Sequence, residues 1–184
     1  MKFHIDLIRV DHSFEKIACE LLRNYIIKID DKEFFLTEIE FYYFNNNHAD
    51  YSTHKHNIPP AHWRCHSQGL DISLGFDKEW DGGILLRGIS SNGEYINGPR
   101  RVLFKIFELF GSVLITEHRF GLVYKKNAFS GSIKKCFRHG LGKSAAGFTD
   151  KHYRFYHSVD NWKHLSKKDR NFIQASSLEL TGKF

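Results

Sequence analysis

The stretch Phe34-Phe35-Leu36-Thr37-Glu38-Ile39-Glu40-Phe41-Tyr42-Tyr43-Phe44 decides how this chain is read. It is rich in aromatic and β-branched residues and free of Gly and Pro, so it reads as a strand. A period of two places Leu36, Glu38, Glu40 and Tyr42 on one face, and Phe35, Thr37, Ile39, Phe41 and Tyr43 on the other. The second set is a core face. The first sets two carboxylates beside an aromatic ring, which is costly to cover unless the acids are paired or used.

Upstream, Asp11 or Ser13 caps a predicted helix running to about Lys28. Its stripe is Phe14, Ile17, Ala18, Leu21, Leu22, Tyr25 and Ile26 at i, i+3, i+4 spacing. Asp30-Asp31 marks a turn. Downstream, 45–68 has no clean period and contains Asn45-Asn46-Asn47 and Pro59-Pro60, which predicts a long, partly exposed loop. Short strands are expected over 70–74, 83–89, 112–116, 121–124 and 153–157. A helix over 100–110 follows Gly98-Pro99 and stops at Gly111. The tail 163–184 is polar, with at most a poorly docked helix. No repeat or linker interrupts the chain. These elements predict a single α+β domain over 1–184, a curved, largely antiparallel sheet with helices packed outside it.

A chain of 184 residues is long enough to bury a core without disulfide or metal staples. Cys19, Cys65 and Cys136 are far apart, odd in number and without CxxC spacing, which fits a reduced, cytoplasmic setting. No run approaches the roughly 20 apolar residues of a membrane span. Asp6 interrupts the place of a secretory apolar segment, so no signal peptide is expected. Twenty-seven Lys and Arg against 21 Asp and Glu give a net charge of +6. The charge is uneven: residues 1–60 sum to −3 and residues 119–184 to +10. A polyanion partner, nucleic acid before membrane, fits that asymmetry, and a solvated basic surface fits it as well.

Thr37-Glu38-Ile39-Glu40-Phe41-Tyr42-Tyr43 resembles the strand that carries the catalytic acid in the alkyladenine (3-methyladenine) DNA glycosylase family. There a Glu is followed two positions on by a Tyr. Asp50-Tyr51-Ser52-Thr53-His54 is similar to the family's Asp-x-x-x-His, and Gly82-Gly83-Ile84-Leu85-Leu86-Arg87 to its Leu-Leu-Arg strand. Asn97-Gly98-Pro99 resembles the family's Gly-Pro helix start. Arg138-His139-Gly140-Leu141-Gly142 through Tyr153-Arg154-Phe155-Tyr156 resembles its closing segments. The matches keep the family's order and cover roughly 34–162.

The resemblance implies a methylpurine-DNA-glycosylase-like fold and a monofunctional, cofactor-free hydrolase of N-glycosidic bonds in damaged, double-stranded DNA. It gives Glu40 the role of activating water and Tyr42 and His54 that of stacking on a flipped base. Arg87 steadies the acid, and Arg138, Gly140 and Leu141 hold phosphate or base. The chemistry needs such residue types: the nucleotide must leave the duplex, be clamped by flat groups, and meet a carboxylate-activated water. By residue type alone, Glu38 and Glu40 line a solvated strand face, Arg87 is an ion-pair partner, Tyr42 is core and His54 a surface histidine.

Three features depart from the family. The stretch 61–69, where the family wedges a Tyr-rich hairpin into the minor groove, is short and Tyr-free, leaving Trp63 and Arg64 as DNA-contact candidates with Lys134, Lys135 and Lys143. Asp71 stands where an Asn commonly borders the base pocket. The segment after the Gly-Pro helix is abbreviated. A catalytically silent nucleic-acid-binding protein of the same fold is therefore the alternative. His54, His56, His62, Cys65 and His66 raise a rival zinc reading, at a spacing that fits no standard finger, so no metal is assigned. No membrane and no obligate protein partner are expected.

Overall fold

The computed structural model describes residues 3–114 and 117–180. In chain order the main elements are α1 (Val10–Asn24), β1 (Tyr25–Ile29), β2 (Lys32–Asn45), β3 (His48–Ala49), β4 (Trp63–His66), β5 (Gly69–Phe76) and β6 (Trp80–Ser91). They continue with β7 (Glu94–Asn97), α2 (Pro99–Glu108), β8 (Phe120–Tyr124), β9 (Lys134–Cys136), β10 (Arg154–Tyr156), α3 (Lys167–Ser176) and β11 (Leu178–Glu179). The strands form one antiparallel sheet whose main path is β11-β9-β10-β2-β6-β5-β4; β1 joins β2 to β8. The expected α+β class with a largely antiparallel sheet is what the chain adopts.

Helix α1 buries Phe14, Ile17, Ala18, Leu21 and Leu22 as the spacing requires. It begins one residue before Asp11, and no side chain caps its N-terminal end. Ser13 instead turns back, its Oγ accepting from the Asp6 amide at 2.9 Å. The helix also ends earlier than Lys28. Tyr25 is extended, and the β-branched Ile26, Ile27 and Ile29 pair on both sides, with Phe35, Phe34 and Lys32 of β2 and with β8. Strand pairing on two edges outweighs one more helical turn.

The central strand β2 does not alternate uniformly. Leu36 pairs with Ile89 and Glu38 with Gly88, so Thr37 is an extra residue; Ile39 then pairs with Leu86, so Arg87 is extra on β6. Each bulge shifts the phase by one residue. Before Thr37 the core side chains are Phe34 and Leu36; beyond it they are Ile39, Phe41 and Tyr43. Leu36 therefore belongs to the core and Phe35 does not, the reverse of the uniform alternation. Gly88 permits the close approach, since a Cβ there would stand 2.5 Å from Thr37 Oγ1.

Within 45–68 the chain supplies β3 and β4. Of the strand expected over 112–116, the described residues 112–114 are not extended in the sheet, with Val113 and Leu114 in a turn; 115 and 116 lie outside the described residues. Ser166 caps α3 through the Asp169 amide at 3.1 Å. Ile173 of α3 is fully buried with Cys136, Tyr156 and Trp162 in a second small core, so the described tail is docked. No described helix is long and apolar enough to cross a membrane.

Candidate functional site

The phase set by the bulges puts Glu38, Glu40 and Tyr42 on the face of β2 opposite the apolar core. Antiparallel register then carries one row across five strands: Arg154, Glu40, Leu85, Asp71 and Arg64 are successive cross-strand partners. Residues paired in this way share a face, and Glu40 and Asp71 are two strand spacings apart, about 10 Å. One step along, Gly83 lies opposite Tyr42 and leaves the sheet bare there.

Over this row lies a cavity of ≈ 340 Å³. Tyr42, Arg87 and Leu85 line one part, Arg64, Asp71 and His66 another, and His54 with Gly140–Gly142 a third. Sequence motifs separated by as many as 100 positions thus converge.

Glu40 is wholly buried, just behind this wall. Its Oε1 accepts the Tyr42 hydroxyl proton, and its Oε2 stands 3.2 Å from Arg87 Nη1. That oxygen accepts no aligned hydrogen bond from the described residues. Arg87 Nε donates to Glu38 Oε1 at 2.9 Å, and Arg154 Nε donates to the same oxygen. Two carboxylates and two guanidiniums therefore neutralise one another, with Glu38, Glu40 and Arg154 buried and Arg87 partly exposed to the cavity, the arrangement that makes such burial tolerable. Burial works against the Arg87 charge, but Glu40 and Glu38 outweigh it and raise its pKa further. Burial, the Glu40 charge and the bond to Glu40 push the Tyr42 hydroxyl well above the usual phenol range, so it stays a donor. Burial pushes the Cys136 thiol, close to this network, up to about 12, which removes it as a nucleophile at neutral pH.

Tyr42 is held from behind by Arg138, whose Cζ lies 4.9 Å from its ring centroid. Arg138 does not line the cavity, contrary to the role expected for it as a contact to substrate. Its side chain is fully covered: Nη1 donates to Asp50 Oδ2 at 2.7 Å, and Nη2 to the Phe148 carbonyl at 3.4 Å. Asp50 in turn accepts from the Ser52 amide at 3.2 Å, and its carbonyl from the Thr53 amide at 3.0 Å. This turn delivers His54 to the cavity. Asp71 is engaged by Arg64 Nη1 at 2.9 Å, with His66 Nε2 at 3.0 Å from its other oxygen.

The remaining expected contacts are scattered. Trp63 points to the opposite side of β4 from Arg64 and stacks on Phe120, centroids 4.7 Å apart, beside a separate apolar pocket. It does not border the Glu40 cavity, so a wedge there is not its place. Lys135 is paired with Glu15 of α1, Lys134 is exposed on β9, and Lys143 is exposed next to the rim residue Gly142. Arg154 is buried on Glu38. Among the described residues no three His, Cys, Asp or Glu groups converge as metal ligands; within 48–66, His54 and His66 meet edge-on with ring centroids 6.2 Å apart. Sequence reasoning passed over His66, Gln68 and His139 as cavity residues. Period two on β4 pairs His66 with Arg64, a signal hidden by reading that segment as loop.

Neither protein-family models nor curated proteins give a match to this sequence.

Proposed function

We propose that the chain is a monofunctional DNA glycosylase that hydrolyses the N-glycosidic bond of flipped-out alkylated or deaminated purines. The observation that carries this reading is a buried carboxylate, Glu40, held between a phenol and a guanidinium directly behind a cavity walled by flat and hydrogen-bonding groups. The cavity volume falls in the lower part of the roughly 300–1,000 Å³ range of ligand pockets, a size for one nucleoside rather than a polymer segment. Tyr42 and His54 supply stacking surfaces, each worth about 1–3 kcal/mol on a base.

Glu40 Oε2 takes a proton from water as the water oxygen bonds to the sugar C1′. The C1′–N bond breaks, and its electron pair leaves with the base. The carboxylate also offsets the positive charge that develops on the sugar. No lysine lines the cavity among the described residues, which fits water rather than an amine as nucleophile and an intact strand after excision. The basic last third of the chain suits duplex DNA as partner, and the free Cys19, Cys65 and Cys136 suit a reducing, cytoplasmic setting.

The test is incubation with duplexes holding 1,N6-ethenoadenine, hypoxanthine or methylated purines, scored as abasic sites. Glu40→Gln is expected to lower excision by about 10²–10⁴-fold while duplex binding persists. Duplex binding by both forms with no excision of any lesion overturns the enzyme reading in favour of a silent nucleic-acid-binding protein.

A further inference from the structure

Glu38 is as deeply buried as Glu40, and neither acid lines the cavity; only Glu40 accepts from Tyr42, a residue of its wall. Its Oε1 accepts two Nε–H groups, from Arg87 at 2.9 Å and from Arg154. The bulge that leaves Arg87 without a strand partner lies next to Gly88, the partner of Glu38. Together these facts fix the plane of the Arg87 guanidinium from its Nε side. What Arg87 then offers Glu40 is one Nη at 3.2 Å, out of line for a hydrogen bond.

A guanidinium free to turn takes a carboxylate bidentately, through two parallel N–H bonds. Such a grip on Glu40 would occupy the lone pairs of Oε2, while Tyr42 already holds Oε1. We propose that Glu38 and Arg154 are positioning residues. Glu38 ties Arg87 back so that Glu40 keeps one oxygen for the attacking water, and Arg154 holds Glu38 in place. This rests on Glu40 as the water-activating acid. Arg154 is well placed for the task, since its backbone is the cross-strand partner of Glu40 while its side chain crosses to Glu38. Both guanidiniums share one carboxylate oxygen, so loss of the Glu38 carboxylate releases both.

The experiment uses the full chain with protein in excess over a lesion duplex, measuring the single-turnover excision rate and the duplex Kd separately. Glu38→Gln is expected to lower the rate by about tenfold or more, the usual scale for partners that orient a reacting group, with Kd nearly unchanged. Arg154→Lys keeps a cation on Glu38 and is expected to retain most of the rate, whether or not Glu38→Gln folds. A folded Glu38→Gln with the wild-type rate, or with a loss that follows duplex binding alone, overturns the proposal. So does an Arg154→Lys variant that is folded and as slow as Glu40→Gln. A second readout is independent of activity: the Arg87 Nε–H signal in ¹⁵N NMR, assigned by its loss in Arg87→Lys. Glu38→Gln is expected to shift and broaden it, and an unmoved signal overturns the positioning contact. If the wild type excises no lesion but this signal moves, the reading of Glu40 has failed and the tether between Glu38 and Arg87 stands.

Discussion

Glu40 and Phe41 are neighbours in sequence, both wholly buried, and covered by opposite kinds of matter. Phe41 stacks on Phe14 with centroids 4.5 Å apart and meets Phe155 edge-on at 5.5 Å, in a core of hydrocarbon. Glu40 lies under a phenol and a guanidinium, with a second acid and a second guanidinium behind. At these two residues both faces of β2 are fully covered. On one, shape complementarity suffices, and close substitutes cost little. On the other, every buried charge needs a partner of opposite sign, so the residues stand or fall as a set. The lesson is that burial alone does not separate scaffold from site; the material doing the covering does.

The largest effect tests the hydrocarbon face. Phe41→Ala removes a ring from a close-packed cluster and is expected to cost about 3–5 kcal/mol in urea unfolding. Molecules still folded should keep the single-turnover excision rate, because the Glu40 network lies across the sheet. A loss of rate in the folded fraction would show that the two faces are mechanically coupled.

The polar side answers differently. Arg138→Met strands Asp50 as a buried charge and is expected to cost about 3 kcal/mol or more in the same unfolding measurement. Adding Asp50→Leu should recover much of that stability, since two apolar groups replace a matched pair. No second substitution of that kind rescues Phe41→Ala. The double variant is also expected to weaken duplex binding, because Tyr42 loses the cation behind its ring and His54 the turn that presents it. Binding at the wild-type level would reduce Arg138 to a purely structural pair.

Much of the site face could be read from residue order. Alternation alone brings Glu38, Glu40 and Tyr42 together, and the matched motifs at His54, Arg87 and Gly140–Gly142 do converge on one cavity. What alternation cannot show is a place where it stops. The extra residues at Thr37 and Arg87 leave no trace in hydrophobic pattern, and they exchanged the sides of Phe35 and Leu36. Arg138 was misplaced for a related reason. A guanidinium in a basic segment looks like a phosphate contact, and only the distant Asp50 in three dimensions makes it a buried partner. Helix α1 ends early because strand partners more than 90 positions away, in β8, claim Tyr25–Ile29.

The junction where the two faces trade sides has its own fastening, and pH provides the smallest and sharpest probe of it. The His157 amide donates to the Thr37 carbonyl at 3.0 Å, and its Nε2 donates to the Leu36 carbonyl at 2.9 Å, so one residue grips both sides of the bulge. Its ring also stacks on Phe129, centroids 3.6 Å apart. Burial pushes His157 down to about 4, so the folded protein holds it neutral where an unfolded chain, near 6.5, begins to bind a proton. The unfolded state gains the proton first, so the stability tied to neutral His157 is complete above pH 6.5 and is lost progressively as pH falls toward 4. Between pH 7 and 5 that loss is expected to be roughly 1–2 kcal/mol. Burial lowers His48 and His152 as well, so the wild-type slope contains all three histidines. The difference from His157→Gln isolates His157, and urea midpoints for the two proteins should converge as pH drops from 7 to 5. Parallel curves would mean that the bulge holds without a neutral imidazole, and that the change of phase in β2 is secured by Gly88 and strand pairing alone.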